Sequence, residues 1–199
     1  MANYCIYIID PFNEIQQLVR VAEKVNEMFD PIAKKAGFSA TSTMFPQYRN
    51  INPLMHESMV YVCPFTTSVV KKMDGASSFD IPDAAISPHQ GVTFISKETG
   101  SEIWCKFSGV NFYAAMIFHE LMHNKLQLGK SLHSKFKACG MSCETINPET
   151  AKPSEEEIDA MAAALAKPVK QWTGGVDMLW NAAQDKANGN DLWNLPISG

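Results

Sequence analysis

Two histidines and a glutamate, His119, Glu120 and His123, form the pattern HExxH inside an apolar segment. On an α-helix, residues four apart lie one turn above each other on one face, so the two imidazoles can bind the same metal ion. Glu120 projects toward the same cleft without being needed as a ligand, and there it can hold and deprotonate a water molecule. The pattern therefore predicts a zinc site with Glu120 as its general base.

The residues around this pattern are typical of a buried helix. An apolar run from 110 to 118 precedes His119, apolar residues continue to Leu126, and Ser108 is the predicted N-cap. Histidine is scarce, with five in 199 residues, and a charged glutamate in so apolar a helix is otherwise unexplained. Both facts favour a metal site over two ordinary core histidines beside a solvated glutamate.

A zinc site needs a third protein ligand, and His133 is the clearest candidate. It lies ten residues after His123, with Gly129 between them. A helix that continues to Gly129 carries the chain roughly 9 Å past His123. Four extended residues then cover roughly 13 Å, enough to return an imidazole to the metal. Glycine commonly ends a helix in the left-handed conformation, so we expect the chain to reverse at Gly129.

With Met141 eight residues after His133, the chain resembles the metzincins, zinc peptidases with the pattern HExxHxxGxxH and a methionine turn beneath the metal. Metzincins place the third histidine six residues after the second, so four extra residues must be absorbed here. The positions of Cys139 and Met141 after His133 are similar to those of the archaemetzincin branch. That branch also has a cysteine directly after the third histidine, where this chain has Ser134, so the resemblance does not extend to its second, cysteine-bound zinc.

The resemblance implies a metallopeptidase that acts on a protein or peptide substrate. One catalytic Zn2+ would be held by His119, His123 and His133, and Glu120 would take the proton of the attacking water and pass it to the leaving amine. Some metzincins use a tyrosine just after the methionine turn, but this chain has no tyrosine beyond Tyr113. The group that assists zinc in stabilising the oxyanion is therefore left unassigned.

The implied fold is α+β and zincin-like, with a small twisted mixed sheet, an edge strand over the cleft, a backing helix, an active-site helix and a helical C-terminal part. We treat residues 1–199 as one domain. Its first part, 1–128, would contain the sheet and the active-site helix. Its second part, 129–199, would contain the methionine turn and the C-terminal helices.

A gluzincin-type peptidase is an open alternative, because that class takes its third ligand from a carboxylate on a second helix. Glu155 and Asp159 have the ExxxD spacing of the class. However, Ser154 and Glu157 also form a predicted capping box, which explains the acidic first turn of that helix without a metal.

Two non-catalytic proteins also stay possible. One is a zinc-binding module with a structural metal, and the second is a degenerate zincin that binds peptides without cutting them. Glu120 argues against both, because a purely structural site needs no base.

The rest of the chain predicts elements that would support the site. A helix from Asp10-Pro11 to near Gly37 has an apolar face that would back the sheet. A hairpin directly before the metal helix would supply the edge strand with which an extended substrate could pair. The predicted strands are 1–10, 59–63, 92–97 and 102–107, and further helices are predicted over about 155–166 and around 176–187.

Composition limits the class of protein. A chain with 46% hydrophobic and 19% charged residues is typical of a globular domain. The net charge of −4 gives no electrostatic support for nucleic-acid binding. No segment has the apolar length of a membrane span, and the N-terminus lacks the basic region of a signal peptide. We expect a monomer that is cytoplasmic, or exported by a route without a conventional signal peptide.

The five cysteines are an odd number scattered along the chain. They predict no disulfide framework and favour a reducing compartment. Cys139 and Cys143 are four residues apart, and no second pair follows them. We interpret them as two thiols rather than as metal ligands.

Overall fold

The computed structural model describes residues 1–10, 15–45, 57–62, 92–95 and 109–167, with the backbone alone for 57–62 and 92–95. Within these ranges the chain is an α+β structure. Its elements are β1 (Tyr4–Ile9), α1 (Leu18–Lys35), β2 (Thr41–Met44), β3 (Glu57–Val62), β4 (Val92–Ile95), α2 (Val110–Leu126), a 3-10 helix (Lys130–Ser134) and α3 (Glu155–Leu165). No helix in the described ranges has the length and apolar character needed to cross a bilayer.

The described strands form one parallel sheet in the order β2-β1-β3-β4. β1 lies inside the sheet, and Tyr4, Ile6 and Ile8 are at most 1% exposed, as expected for a nearly continuous apolar strand in a parallel sheet. β4 contacts α2 and lies at the edge of the described sheet. We predicted a mixed sheet, whereas the strands described here are all parallel. The predicted hairpin partner at 102–107 and the helix around 176–187 lie outside the described residues.

α1 is the predicted backing helix, but the predicted start at Asp10-Pro11 was wrong. The helix begins at Leu18, after Gln17 in the left-handed conformation with φ 55°. The Asp10 carboxylate accepts a hydrogen bond of 2.8 Å from the backbone N–H of Ile15, three residues before the helix begins, so it does not cap the helix itself. The end near Gly37 agrees with the prediction, since the last helical residue is Lys35.

α2 carries the HExxH pattern and is buried on most of its circumference. It packs against α1, with the ring centroids of Phe118 and Phe29 4.6 Å apart. Its N-cap is Gly109, with φ 123°, rather than the predicted Ser108. A glycine adopts this positive φ without the steric cost that a side chain would meet. The buried helix gives the site a rigid support.

α3 begins with the predicted capping box. The Ser154 hydroxyl accepts a hydrogen bond of 3.3 Å from the N–H of Glu157, and the Glu157 carboxylate accepts one of 2.7 Å from the N–H of Ser154. Met161 and Leu165 then join the same hydrophobic core as Phe29 and Phe118. α3 is therefore held against both α1 and α2.

Candidate metal centre

The imidazole rings of three histidines converge, so that their Nε2 atoms lie close together: these are His119, His123 and His133. The distance between His119 Nε2 and His123 Nε2 is 3.0 Å, and His133 Nε2 lies 3.2 Å from that of His123 and 3.4 Å from that of His119. A tetrahedral zinc ion with Zn–N bonds of 2.0–2.1 Å holds its nitrogen ligands about 3.3 Å apart. The donor atoms therefore lie at the spacing that one such ion requires.

The two helix histidines each have their second ring nitrogen fixed by a backbone carbonyl. His119 Nδ1 lies 2.6 Å from the Met141 oxygen, and His123 Nδ1 lies 2.6 Å from the Leu128 oxygen. A carbonyl oxygen only accepts hydrogen bonds, so each Nδ1 is the donor and, in the neutral ring, Nε2 keeps its lone pair. Two lone pairs that face each other at this distance repel unless a cation lies between them. The hydrogen bonding therefore fits a bound metal ion.

His119 is held in the neutral form that binds metals. Burial, followed by the charge of the neighbouring His123, lowers the pKa of His119 from 6.5 to about 4, although the Met141 carbonyl acts in the opposite direction. Protons therefore compete weakly for this nitrogen at neutral pH.

The route from α2 to His133 differs from the prediction. α2 ends at Leu126 and the chain reverses at Gln127, with φ 53°, instead of at Gly129. The N–H groups of Gln127 and Leu128 donate to the carbonyls of Asn124 and His123, which is the Schellman pattern. These two bonds offset the cost of a left-handed residue that is not glycine, which is about 1 kcal/mol.

The turn at Gln127 also positions a group that contacts one of the three histidines. By reversing the chain, it brings the Leu128 carbonyl back to His123. His133 then follows on a 3-10 helix, whereas we expected extended chain between Gly129 and His133. The chain reverses at Gln127, two residues before Gly129. The 3-10 helix then advances by about 2 Å per residue, which is less than extended chain does. Together these two differences place the His133 imidazole beside those of His119 and His123.

Met141 is fully buried, and its segment is fixed by Glu157. The Glu157 carboxylate accepts hydrogen bonds from the backbone N–H groups of Gly140 (3.0 Å), Met141 (3.1 Å) and Ser142 (2.8 Å), in addition to Ser154. Burial acts to raise the pKa of Glu157, but the hydrogen bonds from Ser142, Ser154 and Met141 outweigh it and hold the pKa below its usual value. Glu157 is therefore an anionic anchor for this turn.

Among the residues that the structure describes, the three histidines are the one group of three or more potential metal ligands with donor atoms within 4.8 Å of each other. Comparison with family models, curated proteins and solved structures finds no match. Three imidazole nitrogens in this geometry can hold one divalent cation of the kind that imidazole favours.

The predicted general base lies next to the first ligand. Glu120 follows His119 on α2 and is only 7% exposed. Glu155, the alternative third ligand, is exposed on the first turn of α3 and belongs to no ligand cluster in the described part of the chain. Its partner Asp159 forms an ion pair with Lys35 of α1 instead of orienting a histidine. These contacts favour His133 over Glu155.

Cys139 and Cys143 are joined by a disulfide bond, which corrects our interpretation of them as two thiols. Their Cα atoms are 5.2 Å apart because the chain turns sharply around Met141. The spacing of four residues was visible in the sequence, but the turn that brings the sulfur atoms together was not. Cys5 is a free, buried cysteine.

Sequence reasoning also missed the groups that orient the histidines. The carbonyls of Leu128 and Met141 give no side-chain signal at all. Glu157 was recognised only as part of a capping box. Gly140 offered the one usable signal, because glycine permits a close approach of backbone; in the structure, a Cβ atom there would lie 2.0 Å from the backbone oxygen of Lys152.

Proposed function

We propose that this protein is a zinc metallopeptidase that hydrolyses peptide bonds in a protein or peptide substrate. The observation that carries the proposal is the convergence of three Nε2 atoms within 3.4 Å of one another, with the buried Glu120 beside the first ligand. Three protein ligands leave the fourth position of a tetrahedral ion open, which is the arrangement of catalytic rather than structural zinc sites.

Zinc, when bound, supplies a Lewis acid that polarises the substrate carbonyl and acidifies water. The chain supplies the other functions. The carbonyls of Met141 and Leu128 keep Nδ1 of His119 and His123 protonated, which directs both Nε2 atoms at the metal. Glu120 accepts the proton of the attacking water and delivers it to the nitrogen of the leaving amine.

We propose a metzincin-like enzyme with a zincin-like fold, in which an extended substrate adds its backbone to a strand at the sheet edge. β4 supports a substrate strand on this side of the sheet, because it contacts the helix that carries the HExxH pattern. We further propose a monomer with one catalytic Zn2+. Of the two expected locations, export is supported by the Cys139–Cys143 disulfide, because such bonds persist mainly in oxidising compartments.

The decisive test compares the wild type with Glu120→Gln. We expect the variant to bind one equivalent of zinc, because no ligand is lost, while hydrolysis falls by about 10²–10⁴-fold because the base is lost. Metal content is measured by elemental analysis, and turnover by cleavage of an unbiased peptide library. Glu23→Gln, an exposed position on α1, is the matched control and should keep wild-type turnover.

Two results would contradict the proposal. Turnover in Glu120→Gln equal to that of the wild type would remove the assigned base. A wild-type protein that binds zinc but cleaves no peptide in the library would instead support the non-catalytic zinc-binding module.

A further inference from the structure

Glu157 makes more hydrogen bonds than a helix cap requires. The capping box uses only its bond with the N–H of Ser154. Its other three backbone bonds go to consecutive N–H groups of the segment 140–142. Glu157 is 0% exposed. Burial of a carboxylate costs free energy of solvation, so buried carboxylates are found where several hydrogen-bond donors compensate for the lost water. The arrangement fixes segment 140–142 relative to α3.

One peptide unit connects Glu157 to the metal centre. The N–H of Ser142 donates to Glu157 Oε1 at 2.8 Å, and the C=O of the same unit, which belongs to Met141, accepts from His119 Nδ1 at 2.6 Å. In a trans peptide the N–H and C=O groups point in opposite directions, and the described residues contain no cis peptide. Holding the N–H on Glu157 therefore aims the carbonyl at His119.

The connection is electronic as well as geometric. A hydrogen bond to an ionised carboxylate is stronger than one between neutral groups, and it polarises the peptide that donates it. The Met141 carbonyl then becomes a better acceptor for His119 Nδ1–H, and the electron density at His119 Nε2 rises. Carboxylates that contact a metal-bound histidine directly have this effect, and here a peptide unit is inserted between the two.

We propose that Glu157 is a positioning residue of the metal site, acting on His119 through the peptide unit between Met141 and Ser142. This inference rests on the proposed zinc site but not on the peptidase activity. It assigns Glu157 a role in metal affinity, whereas a plain helix cap would affect only the stability of the fold.

The test compares Glu157→Gln with Glu156→Gln. The amide keeps the size of the side chain, but its NH2 group would face two of the four backbone donors. Glu156 is the matched control, because its exposed carboxylate accepts a hydrogen bond of 3.2 Å from the N–H of Lys137 and does not reach segment 140–142. Zinc affinity is measured by competition with a chelator, the ligand geometry by the visible absorption spectrum of the Co2+-substituted protein, and folding by urea denaturation without metal.

We expect Glu157→Gln to bind zinc about 10–100-fold more weakly and to shift the Co2+ spectrum, while Glu156→Gln matches the wild type in both. A Glu157→Gln protein with wild-type zinc affinity and an unchanged Co2+ spectrum would overturn the inference, whatever its stability. Such a result would leave the proposed peptidase intact. Conversely, a wild type that binds zinc without hydrolysing peptides would contradict the proposed function and leave the inference standing.

If Glu157→Gln does not fold, a second variant tests the role of the peptide unit between Met141 and Ser142. Replacing the amide of Ser142 by an ester, through incorporation of the corresponding α-hydroxy acid, removes this one N–H, makes the Met141 carbonyl a weaker acceptor for His119 Nδ1–H, and keeps Glu157 with its other three bonds. We expect a folded protein whose zinc affinity is reduced at least several-fold. Zinc affinity equal to that of the wild type would overturn the role of this peptide unit.

Discussion

The two ring nitrogens of His119 have different partners. Its Nδ1 is occupied by the Met141 carbonyl, and its Nε2 faces two other imidazoles. Burial and the neighbouring His123 lower the pKa of His119 to about 4. Without metal, the folded protein thus keeps this ring neutral at a pH where a solvated histidine takes up a proton.

We expect the metal-free protein to lose stability as the pH falls from about 6.5 to 4. In this range the unfolded chain binds a proton at His119 that the folded chain excludes, because the folded pKa is about 4 and the unfolded one is 6.5. The stabilisation is therefore complete above pH 6.5 and is lost on acidification, by at most about 3 kcal/mol. Urea denaturation in EDTA at several pH values measures this loss in the free energy of unfolding.

His119→Asn is the control for this pH dependence. It removes the titrating ring, so the free energy of unfolding should vary less with pH between 6.5 and 4 than in the wild type. An NMR titration of metal-free wild type that gives His119 a pKa near 6.5 would refute the explanation.

The turn from Cys139 to Cys143 contains the Met141 carbonyl that orients His119. The disulfide closes its ends, and Glu157 binds its N–H groups from the side. Gly140 allows the close approach of the opposite chain, since a Cβ atom there would lie 2.0 Å from Lys152 O and 2.8 Å from Glu157 Oε2. Each of these contacts constrains the carbonyl that orients His119.

Gly140→Ala should therefore weaken zinc binding as well as the fold. The added methyl group meets a backbone oxygen that has no flexible side chain to move aside, so the turn must shift, at a cost of about 1–3 kcal/mol. The shift displaces the Met141 carbonyl, and we expect zinc affinity to fall at least tenfold. Urea denaturation and chelator competition give the two quantities.

Gly37→Ala is the control for Gly140→Ala. Gly37 has φ +96° with no heavy atom within 4 Å of an added Cβ, so alanine there costs about 1–2 kcal/mol of backbone strain and leaves the centre untouched. If both variants retained wild-type zinc affinity, the proposed dependence of the metal site on this turn would be wrong.

Across the whole molecule, the centre ties together parts of the chain that are far apart in sequence. His119 and His123 come from α2, and His133 comes from the 3-10 helix. Through Met141 and Glu157 the centre also reaches α3. Since α1, α2 and α3 share one core, a ligand that holds the centre together should stabilise all of them.

Zinc should therefore raise the thermal stability of the entire described structure. At a free zinc concentration of about 1,000 times the Kd, binding adds about 4 kcal/mol to the free energy of unfolding. We expect EDTA to lower the Tm of the wild type and of Glu155→Ala, but not that of His133→Ala, which has lost a ligand. Calorimetry with and without EDTA measures the difference.

The opposite pattern would change the assignment of the third ligand. A Tm that responds to EDTA in His133→Ala but not in Glu155→Ala would favour the gluzincin alternative, in which Glu155 is the ligand.

Structural features that depend on residues close together in the chain could be predicted from the sequence. The helix that carries His119, Glu120 and His123, the apolar strand at the N-terminus and the capping box of Ser154 and Glu157 all follow from spacings of two to four residues. Such spacings determine which side chains share a face or reach a nearby N–H group. His133 was also a predictable candidate, because the reach of a short chain segment allowed it to return to His119 and His123.

Only the tertiary structure decided how the histidines are held. The reversal at Gln127, the disulfide around Met141 and the bonds of Glu157 to segment 140–142 depend on which backbone groups are brought together in space. Backbone carbonyls and N–H groups are the same in every residue, so no residue type marks the ones that will bind His119, His123 or Glu157. Packing of α3 against the core brings Glu157 to segment 140–142, and a local pattern of residues does not encode this long-range contact.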